Sequence, residues 1–308
     1  MISGLSATND QFLASLDLLQ SNMSETEEQL SSGLRVNQAS DAPGSVQDIF
    51  ETRAELNQVN QTTQNLTLIQ GQVQAGDTAV QSAIQLLNQA ISLGSEGAST
   101  TSSTSTQQIL ASQIQGLEEQ LVAVANTEVG GVYIFGGDSA TSPPYQVDTS
   151  SPTGVDRLTT PQATLQVAGP SGVTFQVSMT AQDLFDQRDS SDNPTANNAF
   201  AALNGLSQAL LSGNTTNITQ AITVLQGATG YVNEQTGFYG AAENNVSSAL
   251  SLAQKYQTQD QAQLSGLQDA DTATLAVQLT QESTAMDAAM AAQAHQPTTS
   301  LFDYLPIP

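Results

Sequence analysis

Apolar residues recur at every third or fourth position through the first 34 residues of the chain, and the positions between them are mostly polar. This spacing is the heptad pattern of a long helix that buries one narrow stripe against a partner. The stripe consists of Leu5, Phe12, Leu16, Leu19, Met23 and Leu30. The pattern stops at Gly33, and turn-forming residues follow. There we predict that Ser40 or Asp41 caps a second helix, with Pro43 in its first turn.

The same periodicity predicts two further helices, over residues 46–91 and 107–129, joined by a Ser- and Thr-rich loop at 95–106. The first of them would be roughly 70 Å long at about 1.5 Å per residue. The average helix of a globular protein has only about 11–12 residues. An apolar seam of this length is typical of an elongated bundle or a coiled coil.

The pattern changes at Gly130, where glycine and proline become frequent and apolar residues alternate with polar ones. Two alternating runs flank residues 168–172, which have the composition of a turn. They predict a β-hairpin with a five-residue loop. Because helical sequence lies on both sides, we expect residues 130–197 to form an inserted β-rich domain.

Helical periodicity returns at Asn198, and a very long pattern then runs from Ile218 to about Ala294. Four glycines weaken its middle, so we expect a bend or break near residues 227–240. The end of this pattern carries a second apolar stripe, which we expect to pair with the N-terminal one, and the tail is also apolar. We predict that both stripes and the tail form the assembly interface, where the stripes could make contacts between subunits or within one chain. The residues of the second stripe and the tail are Leu264, Leu267, Leu275, Leu279, Met286, Leu301, Phe302 and Leu305.

These patterns predict a mainly α protein with an inserted β domain (α+β). The N- and C-terminal helices would form an elongated helical hairpin or coiled coil, with the β-rich domain at the far end. We expect five segments: an N-terminal assembly helix and turn, a helical bundle segment, the β-rich domain, a returning helical segment, and a C-terminal assembly helix with its tail. Their ranges are 1–44, 45–129, 130–197, 198–262 and 263–308.

Charge and composition exclude several classes of function. The chain has 29 acidic and 5 basic residues, a formal net charge of −24, which would repel nucleic acid and anionic membranes. Zero Cys and a single His exclude thiolate and multi-histidine metal sites. No nucleophile elbow or phosphate-binding loop is present, so we expect no enzyme activity, cofactor or metal. The first residues lack the basic and apolar regions of a cleaved signal peptide.

Two charged features have alternative interpretations. Arg35 could pair with Asp41, with an acidic residue of a neighbouring subunit, or with solvent at a helix end. Aspartates recur every third residue at 183, 186, 189 and 192. They lack the alternating ligands and the glycine of a calcium loop, so we expect a solvated acidic loop.

The turn segment and both ends of the chain resemble the flagellin superfamily. Residues 30–44, LSSGLRVNQASDAPG, are similar to the helix–turn–helix signature near the N-terminus of that family, and residues 267–271, 279–294 and 301–305 to its C-terminal end. Residues 125–145 resemble the entry to the β domain of the hook-associated protein 3 branch, the hook–filament junction proteins. The turn signature falls on Arg35, Asn37, Ser40, Asp41 and Pro43.

The resemblance implies a structural subunit of the extracellular bacterial flagellum, exported through the flagellar type III system. It implies copies of the same chain, hook-associated protein 1 and flagellin as partners, and an export chaperone on the C-terminal region. One alternative is a filament-forming flagellin. An alternative from another class is a secreted coiled-coil adhesin or type III tip protein, which would bind a ligand through residues 130–195.

Overall fold

The computed structural model describes residues 2–99 and 102–294, with side chains described from residue 10 onward within those ranges. Most of these residues are helical, and the predicted mainly α architecture with an inserted β domain is confirmed. The α-helices are α1 (Ile2–Ser32), α2 (Val46–Gly97), α3 (Thr104–Ala125), α4 (Ala181–Phe185), α5 (Ala199–Ser212), α6 (Thr215–Gln268) and α7 (Thr272–Ala294). The strands are β1 (Glu128–Val129), β2 (Val132–Tyr133), β3 (Tyr145–Val147), β4 (Val155–Arg157), β5 (Gln166–Ala168) and β6 (Thr174–Gln176).

Local capping chemistry sets several helix boundaries. The Ser103 side chain accepts a hydrogen bond from the Thr106 amide and begins α3. Asn198 does the same for α5, so the predicted return of helix at this residue is confirmed. Gly213 ends α5 with φ of 69°, a left-handed conformation that glycine adopts without strain.

The predicted helix cap at Ser40 or Asp41 is wrong. α2 begins only at Val46, and the residues before it, including Pro43, form turns. The Asp41 carboxylate instead accepts hydrogen bonds from backbone amides upstream of it, those of Asn37 and Gln38. Because its lone pairs are directed backward along the chain, Asp41 closes a turn instead of starting a helix.

The predicted bend near residues 227–240 is also wrong, since α6 continues through this range to Gln268. The four glycines lie on the exposed side of α6, whereas Val232 and Tyr239 are buried on the other side. A glycine costs about 1 kcal/mol relative to alanine in a helix. Burying one large apolar side chain contributes about 1.5–3 kcal/mol. The buried stripe therefore outweighs the glycines.

The long C-terminal pattern is interrupted elsewhere, between α6 and α7. The Asp271 carboxylate accepts hydrogen bonds from the amides of Ala273 and Thr274, at 3.1 and 3.2 Å. This is the geometry of an N-cap, and it starts a new helix. Leu264 and Leu267 consequently belong to the last turns of α6 and not to α7.

The β region consists of three antiparallel pairs, β1–β2, β3–β4 and β5–β6. In the last pair Val167 lies opposite Phe175. The predicted hairpin is confirmed, with its five-residue loop at 169–173, one position later than expected. α3 also ends earlier than predicted, at Ala125, because the chain then enters β1.

The chain divides into two compact units. The first comprises residues 1–58 and 256–308, and the second comprises residues 59–255. This division does not coincide with the five predicted segments, whose boundaries remain a prediction. Within the described residues, none of the helices has the length and apolar character needed to cross a membrane.

The second unit has an aromatic core. Phe135 packs edge-on against Phe185 and Tyr239, with ring centroids 6.0 and 6.5 Å apart. Gly76 of α2 lies against the Tyr239 ring, so closely that a Cβ there would be 2.5 Å from Cε1. A residue without a side chain is therefore required at this point of the helix.

Candidate functional site

The first unit contains the two helices that the sequence predicts to pair. α1 and α7 pack against each other. Leu34 and Asp269 form an antiparallel backbone bridge beside the helix ends, and farther along Gln278 Nε2 lies 3.4 Å from Thr26 Oγ1. As the position on α1 moves toward the N-terminus, its partner on α7 moves toward the C-terminus. The helices are therefore antiparallel, and we call them the terminal helix pair.

The predicted apolar stripes occupy the protected sides of these helices. On α1 the stripe residues are half-buried, whereas Leu13 and Leu18 beside them are 57% and 64% exposed. On α7 Leu275 is buried, and Leu279 and Met286 are half-buried. The half-buried residues of α1 are Phe12, Leu16, Leu19, Met23 and Leu30. Their role in assembly remains a prediction.

The other predicted interface residues are distributed differently. Leu264 and Leu267 are half-buried in the first unit, on α6. Leu5 lies on α1, but its side chain is outside the described part of the structure. The tail residues of the prediction, Leu301, Phe302 and Leu305, are also outside the described residues.

Two chain segments, residues 33–36 after α1 and residues 267–270 at the end of α6, are connected by backbone hydrogen bonds. We call this pair of segments the crossover. The Ala270 amide donates to the Gly33 carbonyl at 3.0 Å, and the Arg35 amide donates to the Gln268 carbonyl at 2.7 Å. Gly33 has φ of 71°, which directs the chain out of α1. These hydrogen bonds fix where α7 begins relative to where α1 ends.

Two arginines reinforce the crossover, and they are the only Lys or Arg residues of the first unit. Arg35 Nη2 donates to the Leu267 carbonyl and Arg53 Nη2 donates to Gln268 Oε1, both at 2.7 Å. The last carbonyl groups of a helix lack partners within it, and its C-terminal end attracts cations. Of the predicted interpretations of Arg35, pairing with Asp41 is wrong, because its guanidinium binds the end of α6.

The remaining turn-signature residues form a local network. Asp41 Oδ2 accepts from the amides of Gln38 and Asn37, at 2.7 and 2.9 Å, and Ser40 Oγ donates to Oδ1. The amide of Gln38 contributes most to holding the pKa of Asp41 below its ordinary value of 3.8. The Asn37 side chain donates to the Leu34 carbonyl at 3.2 Å, which connects the turn to the crossover.

The side of α7 turned away from the stripe is uncharged and consists mainly of Ala and Thr residues. Its hydroxyl groups are already satisfied within the helix, since Thr280 donates to the Ala276 carbonyl and Thr284 to the Thr280 carbonyl. We call this surface the outer face of α7. Its exposed residues are Ala276, Val277, Thr280, Gln281, Thr284, Ala285 and Ala288.

The acidic loop of the second unit differs from the sequence expectation. Asp186 is fully buried instead of solvated. Its two oxygens share a bifurcated hydrogen bond from Arg188 Nε, each at 3.0 Å. The carboxylate also accepts from the Tyr145 hydroxyl at 3.0 Å and from the side-chain amide of Asn198 at 2.7 Å. Asp186 therefore holds together three segments of the fold.

Within the described ranges, no group of three or more His, Asp or Glu side chains could hold a metal ion.

Comparison with known proteins supports the predicted resemblance. Residues 6–140 match the family model of the bacterial flagellin N-terminal helical region. Comparison with curated proteins finds no match. A candidate flagellar hook-associated protein from Vibrio parahaemolyticus has a similar structure, with a TM-score of 0.64, 14% identity, and coverage of 74% of this chain and 100% of that chain.

Two further solved structures are similar. FlgL from Bacillus cereus has a TM-score of 0.53 and 18% identity, with coverage of 71% of this chain and 100% of its own. The flagellar junction protein FlgL from Legionella pneumophila has a TM-score of 0.54 and 12% identity, with coverage of 65% and 99%. At these identities the likeness is one of fold. With the match over residues 6–140, it confirms the resemblance to the flagellin superfamily.

Proposed function

We propose that this protein is a structural axial subunit of the bacterial flagellum, and that it joins the hook to the filament. The observation that carries the proposal is the terminal helix pair, which brings the two signature-bearing ends of the sequence together through the crossover. The shared fold with hook-associated proteins and the flagellin match over residues 6–140 support it. No catalytic group takes part in such a role.

The energetics of the helix pair favour assembly with other subunits. Most stripe residues of α1 and α7 are only half-buried within one chain. Each fully buried apolar side chain contributes about 1.5–3 kcal/mol, and ordering a residue costs roughly 1–2 kcal/mol in backbone entropy. Because a pair of helices with one narrow stripe is close to marginal, neighbouring subunits would supply the missing burial.

We propose that copies meet at the outer face of α7. This face carries no charge and presents small side chains with Val277, which is 58% exposed. α1, in contrast, carries five carboxylates, at residues 10, 17, 25, 27 and 28. Like charges oppose an α1–α1 contact between copies. Packing of an exposed leucine of α1, Leu13 or Leu18, against the outer face of α7 of the next copy avoids that repulsion and generates a heterologous, ring- or helix-forming contact.

The remaining parts of the role are also proposals. The chain would be exported by the flagellar type III system to the extracellular flagellum. Its axial neighbours would be hook-associated protein 1 on one side and flagellin on the other, and an export chaperone would bind the C-terminal region before assembly. The large negative net charge would keep unassembled copies apart in solution.

Immunogold electron microscopy of flagella from the native bacterium tests this proposal. An antibody raised against the β region, residues 128–176, should label one narrow band between hook and filament. Labelling along the whole filament would favour a filament-forming flagellin instead. Label absent from the flagellum, but present on a surface to which the purified protein binds, would favour a secreted adhesin. A strain lacking the gene provides the control for antibody specificity.

A further inference from the structure

Two side chains from neighbouring helices contact the tip of the β3–β4 hairpin, residues 148–154. Asn204 of α5 donates its amide to the carbonyl groups of Pro152 and Ser151, at 3.0 and 3.4 Å. Glu118 of α3 contributes the second contact. Its carboxyl group lies directly against Gly154, where even a single added carbon atom would collide with it.

Glu118 is buried in an environment that does not compensate a charge. It is only 4% exposed, and its Oε1 atom has no hydrogen-bond partner among the described residues. Gly154, which it contacts, has φ of 76°, and the Gly154 carbonyl accepts from the Asp148 amide at 2.9 Å. The tip therefore has a tight backbone conformation that covers the unpaired Oε1 atom of Glu118.

Burial favours the protonated form of such a group. Desolvation, with a smaller contribution from the charge of Glu119, raises the pKa of Glu118 from 4.5 to about 8. In the open tip the carboxyl would be solvated and its pKa ordinary. Ionisation of Glu118 consequently favours the open tip, because an unpaired buried carboxylate is costly.

We propose that Glu118 is a pH-sensitive latch, which holds the β3–β4 tip closed while it is protonated and releases the tip when it ionises. The base of the hairpin would remain attached. Asn126 holds Tyr145 through two hydrogen bonds, at 2.7 and 3.0 Å, and the Tyr145 hydroxyl donates to Asp186. This inference does not depend on the flagellar role.

Among the charged groups near the β3–β4 tip, we assign the pH response to Glu118. Glu119, its neighbour on α3, is exposed and opposes ionisation of Glu118. On the hairpin, Asp148 accepts from Ser150, Asp156 accepts from Gln146 Nε2, and Arg157 binds Asp192. α5 contributes no acidic or basic side chain. None of these groups supplies a cation to the Glu118 carboxyl.

Two NMR measurements on the full chain test the latch. The first follows the side-chain carboxyl carbon of Glu118 through a pH titration, and we expect a midpoint near 8. The second compares amide exchange at pH 6 and pH 9, corrected for intrinsic rates. Protection of the Asp148 and Gly154 amides should fall by on the order of 10- to 100-fold, whereas protection of the Tyr145 amide should stay unchanged.

Variants separate the latch from general alkaline loosening. In Glu118→Gln the protection of the tip should no longer depend on pH, whereas Glu119→Gln should keep a pH-dependent tip. Its midpoint should lie somewhat below that of the wild type, because the neighbouring charge that raises the pKa of Glu118 is removed. A wild-type midpoint near 4.5 would overturn the proposal, as would an equal alkaline loss of protection in Glu118→Gln. The titration uses the unmodified protein, so the test stands even if Glu118→Gln does not fold.

Discussion

Arg35 and Leu267 are 232 residues apart in sequence, yet the Arg35 guanidinium donates a 2.7 Å hydrogen bond to the Leu267 carbonyl. Leu267 lies in the last turn of α6, where carbonyl groups have no partner within the helix. A cation at this point satisfies one of them and interacts favourably with the helix dipole. The contact therefore ties the exit of α1 to the segment from which α7 begins.

Arg35→Ala should loosen α7 without unfolding the second unit. Because Arg35 is exposed, we expect a loss of only about 1 kcal/mol, which is roughly fivefold in the amide protection of α7. Arg35→Lys should have an intermediate effect, since lysine lacks the planar guanidinium. Lys255→Ala removes the same charge elsewhere and should leave α7 protection unchanged. An equal change in both alanine variants would contradict a specific role for Arg35.

The turn at Asn37–Asp41 should be sensitive to acid. The pKa of Asp41 is lowered in the folded chain, so its contribution to stability is present above its ordinary value of 3.8 and is lost as the pH falls through the lower folded value. The amide NMR shifts of Asn37 and Gln38 should therefore be constant at neutral pH and change only below about 3.8. Asp41→Asn should abolish this response, and Asp48→Asn should retain it.

Two glycines of α2 should respond oppositely to alanine. At Gly76 a Cβ would be 2.5 Å from the buried Tyr239 ring, whereas at Gly71 it would meet no atom within 4 Å. We expect Gly76→Ala to destabilise the second unit by about 1–3 kcal/mol through overpacking. Gly71→Ala should be neutral or stabilise by up to about 1 kcal/mol through helix propensity. The midpoint of thermal unfolding, measured for both variants, tests this prediction. Equal shifts of the two midpoints would contradict the argument that packing against Tyr239 requires a glycine.

The sequence predicted correctly those features that depend on one run of periodic apolar residues or on one helix-capping residue. The spacing from Phe12 to Leu30 identified the protected side of α1, and Asn198 marked the start of α5. The alternation around residues 168–172 identified the β5–β6 hairpin. Each of these signals is local, because the residues that produce the pattern also form the element.

The features that sequence reasoning missed depend on contacts between distant residues. The glycines of α6 do not bend it because Val232 and Tyr239 are buried on its opposite side. Asp186 is buried because Tyr145 and Asn198 reach it from other segments. The cap at Asp271 is different, since Asp followed by Thr, Ala and Thr is a local N-cap signal that could have been recognised.

The central claim is that the terminal helix pair is the element through which the protein assembles. Leu19→Asp puts a charge into the stripe of α1, and Gln20→Asp adds the same charge at the exposed neighbouring position. Both variants should be exported, and both should retain the thermal unfolding of the second unit.

The direct measurement is the fraction of hooks that carry filaments, counted by electron microscopy in a strain that lacks the native gene and expresses one form of the protein. We expect wild type and Gln20→Asp to restore filaments, and Leu19→Asp to appear in the medium while the hooks remain bare. Restoration of filaments by Leu19→Asp at the wild-type frequency would contradict the account.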